Sequence, residues 1–179
     1  MKKAIAITVL TCLFLLISAL VFVKYKESAN IRLVEKTIQE AQEINANSFM
    51  GMEYLEFAGL SEEEAKYFND DMPGSKVTDD GYVRGYYFKI PKDASDRRLT
   101  QININGGDYH VFGIRLGDSV EQASEKLKQR GYKRTKSMED IYREGILRTR
   151  FQKELVIIDL MTEMDSQIIK GISVLTDYP

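Results

Sequence analysis

The sequence predicts an α+β protein in which an N-terminal transmembrane helix and a stalk helix precede an antiparallel sheet with short helices packed on one face. Two observations support this fold class. An uncharged apolar run extends from Ala4 to Val23, and from Gly81 onward apolar and polar residues alternate with the period of a β-strand. Short connections between the alternating segments favour antiparallel pairing, and helices segregated to one face of such a sheet define the α+β class.

The apolar run AIAITVLTCLFLLISALVFV contains twenty residues and no charge, proline or glycine. A helix of this length is roughly 30 Å long, which matches the hydrocarbon thickness of a bilayer. The alternative is a cleaved secretory signal, because residues 1–3 form a short basic segment. Since no small-residue cleavage site follows the run, we expect Ala4 to Val23 to remain as a signal anchor in contact with the lipid bilayer.

The charges that flank the run give opposing indications of its orientation. Lys2 and Lys3 favour a cytoplasmic N-terminus, whereas Lys24 and Lys26 lie beyond the other end. Because long domains are translocated regardless of their charge, we expect a single-pass protein of the bacterial cell membrane with residues 27–179 outside the cytoplasm. Cleavage of the run would instead give a secreted protein.

The remaining chain has the size of one globular domain, since about 150 residues follow the run and suffice for a hydrophobic core. The sequence predicts three parts: an anchor at 1–26, a juxtamembrane helix at 27–48 and an extracytoplasmic α+β domain at 49–179. A loose echo between FAGLSEEEAKYF and GIRLGDSVEQASEKL is the reason to consider two similar halves in that domain, 49–107 and 108–179.

Charge and cysteine content exclude several classes of function. The chain has 25 basic and 27 acidic side chains, so its net charge does not favour nucleic acid as a partner. The one cysteine, Cys12, lies in the apolar run. An internal disulfide is therefore excluded, and so is a thiolate metal site in the rest of the chain.

Helical spacing continues beyond the apolar run, where apolar residues recur every three or four positions: Ile31, Val34, Ile38 and Ala41. This stripe indicates either a rod-like or oligomerising stalk or an amphipathic helix packed on its own domain. Because the stripe is shorter than the three or four heptads that indicate a coiled coil, we favour the packed helix.

A second helix is predicted over residues 61–69, with Glu64 in the capping-box position. Three strands follow a turn at 79–81, namely YVRGYYFKI, LTQININ and YHVFGIRL. A polar loop at 91–96 separates the first pair of strands. The sequence NGGD at 105–108 predicts a hairpin between the second pair, because Asn-Gly and Gly-Gly tolerate positive φ.

The most specific local pattern is a strand–turn–helix unit in the middle of the chain. A strand ends near Leu116, Gly117 allows a turn, and Asp118 is predicted to cap a helix with Glu121 in the capping-box position. Gly131 follows this helix where a left-handed C-terminal cap belongs, so we expect its φ to be positive.

The same unit carries a resemblance to known families in the sequence GIRLGDSVEQA, from Gly113 to Ala123. This sequence resembles the opening of SmpA/OmlA and beta-lactamase-inhibitor-protein-like modules, in which an extended segment, a glycine, a polar cap and a short helix precede antiparallel strands. The resemblance extends loosely over residues 108–176. It implies a small α+β module that binds proteins, and it assigns a role to no individual residue.

Four further strands are predicted in the C-terminal third: YKRTKS, ILRTRFQ, LVIIDLMTEM and IIKGISVLT. Their predicted turns are short: Glu144-Gly145, Lys153-Glu154 and Asp165-Ser166. Short turns favour an antiparallel meander.

Searches for catalytic and metal-binding patterns identify no site. His110 is the only histidine, it lies in a predicted strand, and no nucleophile motif accompanies it. Four aspartates lack the spacing of an EF-hand loop: Asp70, Asp71, Asp79 and Asp80. We therefore predict no catalytic, cofactor-binding or metal-binding residue and no cofactor, although the many carboxylates leave a glycosidase-like acid pair open.

Basic residues cluster near the predicted helix end: Lys126, Lys128, Arg130, Lys133, Arg134 and Lys136. One interpretation is contact with an anionic surface partner, such as a lipid headgroup or a wall polymer. The other is a solvated helix face and strand edge, which we favour because Glu121 and Glu125 dilute the patch.

Taken together, these patterns predict a membrane-anchored, non-catalytic protein of the bacterial envelope whose outer domain binds another envelope protein or a ligand. Two alternatives stay open. A membrane helix that continues into a stalk below a β-rich head is typical of pilin-like or scaffold subunits. A pair of carboxylates would allow an envelope hydrolase.

Overall fold

The structure is a computed structural model, and it describes residues 2–57, 74–89, 96–135, 137–139 and 144–177, with side chains from residue 18 onward. The chain divides into two compact units, Met1–Lys36 and Thr37–Pro179. Helix α1, Lys2–Asn47, is a single helix of 46 residues. Its last turns belong to the second unit, which also contains the sheet.

The prediction of a transmembrane helix from Ala4 to Val23 is wrong in this structure. Across the described ranges, no helix is both long enough and apolar enough to cross a membrane. The predicted single-pass signal anchor is corrected accordingly.

Within the second unit, the last turns of α1 contribute a buried face that consists of Thr37, Glu40, Ala41 and Ile44. These positions follow the spacing of one helix face. Ile38, which the predicted stripe includes, is 38% exposed instead. Ala41 belongs to both the predicted stripe and the buried face, whereas Glu40 is buried beside it because it has polar partners on the rest of the unit. Glu40 accepts a hydrogen bond of 2.8 Å from the Tyr132 hydroxyl and pairs with the Lys153 ammonium.

Ten strands and one further helix follow α1 in the described residues. Strands β1 to β5 are Gly74–Val77, Val83–Lys89, Arg97–Ile104, His110–Val111 and Ile114–Arg115. Helix α2 is Val120–Gln129. Strands β6 to β10 are Lys133–Arg134, Met138–Glu139, Ile146–Lys153, Val156–Glu163 and Gly171–Thr176.

Eight of these strands form one sheet in the order β1-β2-β3-β10-β9-β8-β6, with β7 also paired to β8. Every pairing in the sheet is antiparallel. The meander predicted for the C-terminal strands is confirmed by the consecutive pairing of β8, β9 and β10. Strand β10 lies in the middle of the sheet, where Val174 pairs with Ile102 of β3 on one side and with Ile158 of β9 on the other.

The hairpin predicted at 105–108 is wrong. Both edges of β3 are occupied, by β2 and by β10, so the following strand has no place beside it. Strand β4 instead pairs with β5 in a separate two-stranded sheet, and His110 forms an isolated bridge with Phe49. The predicted helix at 61–69, together with Asp70, Asp71 and Lys136, lies outside the described residues.

The hydrophobic core lies on one face of the large sheet. Alternate residues of the central strands point into it, as Ile102, Ile158 and Val174 are fully buried. Helix α2 contributes Ala123 and Leu127 to the same cluster. Alternation with the period of a strand thus places one apolar set of side chains against the helices.

Helix α2 begins and ends with capping interactions. Its N-cap is Ser119, whose hydroxyl accepts a hydrogen bond of 3.2 Å from the Gln122 amide, so the prediction of Asp118 as the cap is wrong by one residue. Asp118 instead accepts a bond of 3.0 Å from the Arg115 amide. At the other end, the positive φ predicted for Gly131 is confirmed, at +86°.

We predict that Gly131→Val destabilises the protein by about 1 to 2 kcal/mol, because a side chain with a Cβ is strained in the left-handed region. A Cβ at this position would meet nothing closer than the Lys153 side chain at 3.8 Å, so the loss comes from the backbone and not from crowding. Gly131→Asn is the matched control, because asparagine tolerates positive φ better than valine. Urea unfolding measures both effects, and equal midpoints for the two variants would contradict the assignment.

Candidate functional site

A segment of irregular backbone, residues 48–57, crosses the edge of the core between α1 and β3, and we call it the strap. Backbone hydrogen bonds hold it at both ends. Phe49 exchanges bonds of 2.9 and 2.8 Å with His110. Near the other end, the Leu55 amide donates to the Leu99 carbonyl at 2.9 Å, and the Leu99 amide donates to the Glu56 carbonyl at 3.0 Å.

The middle of the strap is held by a side chain of α1. The Asn45 carboxamide accepts a bond of 2.7 Å from the Tyr54 amide and donates one of 3.0 Å to the Tyr54 carbonyl. The strap also bends sharply at Gly51, where φ is +69° and a Cβ would lie 2.9 Å from both Thr78 and the Tyr109 ring. The strap is therefore fixed by the Asn45 side chain of α1 and by isolated backbone bridges to β3 and β4.

An open cavity of about 610 Å³ lies beside the strap. Its lining comes from the end of α1, the strap and the two strands at one end of the sheet: Asn45, Ser48, Phe49, Met50, Gly51, Met52, Glu53, Glu56, Lys76, Val77, Thr78 and Tyr87. Two apolar side chains of this lining face solvent, since Phe49 is 55% exposed and Val77 is 44% exposed. A volume of this size and mixed apolar and polar walls are typical of sites for small ligands.

Two carboxylates of the strap, those of Glu53 and Glu56, line the cavity. Burial and the nearby charge of Glu53 raise the pKa of Glu56. Two groups act against this shift, because the Tyr87 hydroxyl donates to Glu56 at 3.4 Å and Lys76 supplies a positive charge. The Lys76 ammonium lies 5.9 Å from the centre of the Tyr87 ring.

The turn that follows β1 lies next to Thr78, a residue of the cavity lining. Asp80 accepts hydrogen bonds of 2.6 Å from the Thr78 hydroxyl and of 2.6 Å from the Tyr109 hydroxyl. These bonds lower the pKa of Asp80, and the Tyr82 amide contributes a third at 3.0 Å. The carboxylate thus organises the turn at 79–81. Among the described residues, no group of three or more possible metal ligands is found.

The structure places His110 in β4. Its backbone pairs with the strap, and its Nδ1 accepts a bond of 3.3 Å from the Gly113 amide across the β4–β5 turn. This contact gives the imidazole a local structural partner at the turn.

Three of the described basic residues of the predicted cluster, all on or next to α2, have separate local partners. Lys126 donates to the Gly113 carbonyl at 2.7 Å, and Lys128 pairs with Glu125 at 2.6 Å. The Arg130 guanidinium lies 4.0 Å from the centre of the Phe112 ring. These contacts fit the interpretation of a solvated helix face.

A second polar cluster lies on the face of the sheet opposite the core. Asp159 of β9 is fully buried and accepts two bonds of 2.8 Å from Arg150 of β8, and Arg148 approaches at 3.5 Å. The bond with Asp159 raises the pKa of Arg150. In the neighbouring strands, Ser173 donates to Asn103 at 2.6 Å. A bidentate pair of this kind fixes the register of β8 and β9.

Sequence reasoning missed both clusters. Asp159 is the single carboxylate in the apolar strand VIIDLM, and the neighbouring strand has arginines at alternate positions, Arg148 and Arg150. Only the register of the two strands shows that these residues pair. Glu53 and Glu56 lie in a segment that reads as apolar and aromatic. Their shared cavity depends on Asn45 and on strands that are distant in sequence.

The comparisons with known proteins find no match among family models, curated proteins or solved structures. The resemblance to SmpA/OmlA and beta-lactamase-inhibitor-protein-like modules therefore stays a prediction.

We predict that Glu56→Gln stabilises the protein at pH 7 relative to the wild type and that this gain disappears near pH 3. The pKa of Glu56 is raised in the folded state, so the protonated carboxyl favours folding, and that stability is lost as the pH rises through the folded pKa. Glutamine keeps an acceptor for Tyr87 and never ionises.

Thermal unfolding across this pH range measures the difference, and Glu163→Gln on β9 is the control for loss of one exposed carboxylate. A variant that is less stable than the wild type at pH 7, or equally shifted at both pH values, would contradict the account.

Proposed function

We propose that this chain is a non-catalytic binding protein and that the cavity beside the strap is where it holds a ligand or a segment of a partner protein. The observation that carries the proposal is the cavity of about 610 Å³, whose walls combine exposed apolar side chains with carboxylate, ammonium and amide groups. Ligand sites in proteins have this size and this combination of apolar area with a few polar groups.

The framework of the cavity supports the proposal because it is fixed before any ligand arrives. Asn45 and the backbone bonds to His110 and Leu99 hold the strap in one position. Preorganised walls reduce the conformational entropy that is lost on binding. A location in the bacterial envelope, outside the cytoplasm, stays a prediction, and so does the pilin-like alternative.

A carboxylate-based hydrolase is the second candidate function. Glu53 and Glu56 line the same cavity, and the pKa of Glu56 is raised, which is the direction of shift that favours a general acid. We favour binding because solvent-facing Phe49 and Val77 give the cavity an apolar rim that suits retention of a ligand.

A photoreactive benzoylphenylalanine at position 49 tests binding in living cells of the source organism. Phe49 is aromatic and 55% exposed, so its position has room for the larger aromatic side chain, and we expect a covalent adduct of discrete mass from this position. The same group at Met164, which is 54% exposed in the β9–β10 turn, is the control and is expected to give no such adduct. Equal adducts at the two positions, or none at either, would contradict binding at the cavity.

Glu56→Asp separates binding from hydrolysis. Aspartate keeps the charge but withdraws the carboxylate by one methylene, which lowers catalysis by about a hundredfold but weakens binding only modestly. If the protein binds without catalysis, this variant still complements a deletion strain and still forms the adduct. Adduct formation with complete loss of complementation would favour the hydrolase.

A further inference from the structure

We propose that the cavity beside the strap recognises a cationic amphipathic amine, with its ammonium at Glu53 and Glu56 and its apolar body against Phe49 and Val77. This inference rests on the proposed function, because it names the chemical class of ligand for the same cavity.

The charges of the lining favour a cation. The strap provides the carboxylates of Glu53 and Glu56, β1 provides the ammonium of Lys76, and the lining residues of α1 and β2 carry no charge. Two negative charges therefore face one positive charge. A bound ammonium balances the count, whereas a bound carboxylate adds to the repulsion.

The surroundings of Glu56 indicate that its own charge is incompletely compensated. Burial and Glu53 both disfavour the carboxylate form, and the contributions of Tyr87 and Lys76 leave the pKa raised. A cation next to Glu56 stabilises the carboxylate form, so binding of an amine and ionisation of Glu56 favour each other.

The apolar walls favour a ligand with a hydrophobic body. One side of the Phe49 ring stacks on Tyr109 with a centroid distance of 5.2 Å and an interplanar angle of 17°. More than half of Phe49 nevertheless stays exposed, and Val77 on β1 is also exposed. Met52 of the strap, which is half-buried, adds a flexible thioether that adapts to different shapes.

Three probes of similar size test the inference by NMR on the full chain with ¹³C-methyl methionine: 2-phenylethylamine, 2-phenylethanol and 3-phenylpropionate. The signals of Met50 and Met52, identified with Met→Leu variants, report occupancy of the cavity because both residues line it. We expect saturable shifts with the amine, and affinity that is at least fivefold higher than for the alcohol or the carboxylate.

Two variants with opposite expected effects show which charges are responsible. Glu56→Gln should weaken binding of 2-phenylethylamine about fivefold, which is the size expected for an ion pair at a partly exposed site. Lys76→Gln should strengthen binding of the amine, because it removes the positive charge that opposes it. Glu163→Gln, on β9, is the control and should leave the affinity unchanged. A misfolded variant could not produce tighter binding, so the pair of effects is specific.

The outcomes distinguish failure of this inference from failure of the proposed function. If the alcohol or the carboxylate saturates the methionine signals as tightly as the amine, the cavity binds ligands but the assignment to amines is overturned. If none of the three probes produces a saturable shift, both the amine assignment and the proposed binding at the cavity are overturned.

Discussion

The paired hydrogen bonds between the Asn45 carboxamide and the backbone of Tyr54 are the interaction on which the candidate site depends. They join the last turns of α1 to the middle of the strap, at 2.7 and 3.0 Å. Leu55, the next residue, has a positive φ of 61°, which is costly for a residue with a Cβ and persists only where the surroundings determine it. Tyr54 also contributes its hydroxyl to a bond with Thr176 of β10, so the strap is tied to the centre of the sheet.

Buried ionic groups hold the framework around the site and have a structural role. Glu40 of α1 accepts a hydrogen bond from the Tyr132 hydroxyl and pairs with the Lys153 ammonium. Burial and the Glu40 carboxylate raise the pKa of Tyr132, so the hydroxyl stays protonated and donates. Asp159 has a similar arrangement with Arg150 on the other face of the sheet. Burial of a charge is unfavourable unless its hydrogen bonds are complete, so these pairs hold the register of the elements they join.

The sequence was sufficient for elements that are defined by local rules. Alternation located β2, β3, β8, β9 and β10, and capping chemistry located α2 and the left-handed Gly131. It was insufficient where a partner is distant: the hairpin at 105–108 failed because β10, from the far end of the chain, occupies the edge of β3. The cavity was missed for the same reason. Glu53 and Glu56 line it because bonds from Asn45, Leu99 and His110 position the strap. The apolar run alone predicted a membrane span, whereas no helix among the described residues is both long and apolar enough to be one.

Amide hydrogen exchange of Asn45→Ala, compared with the wild type, tests the central claim that this side chain holds the strap and so maintains the cavity. The informative amides are those of Phe49 and Leu55, which donate to the carbonyls of His110 and Leu99 and not to the Asn45 side chain. The account predicts that both exchange at least about tenfold faster in the variant, because the whole strap is released, while amides of β9 and β10 keep their protection. Unchanged protection at Phe49 and Leu55 would show that the strap holds its position without Asn45, and would contradict the account.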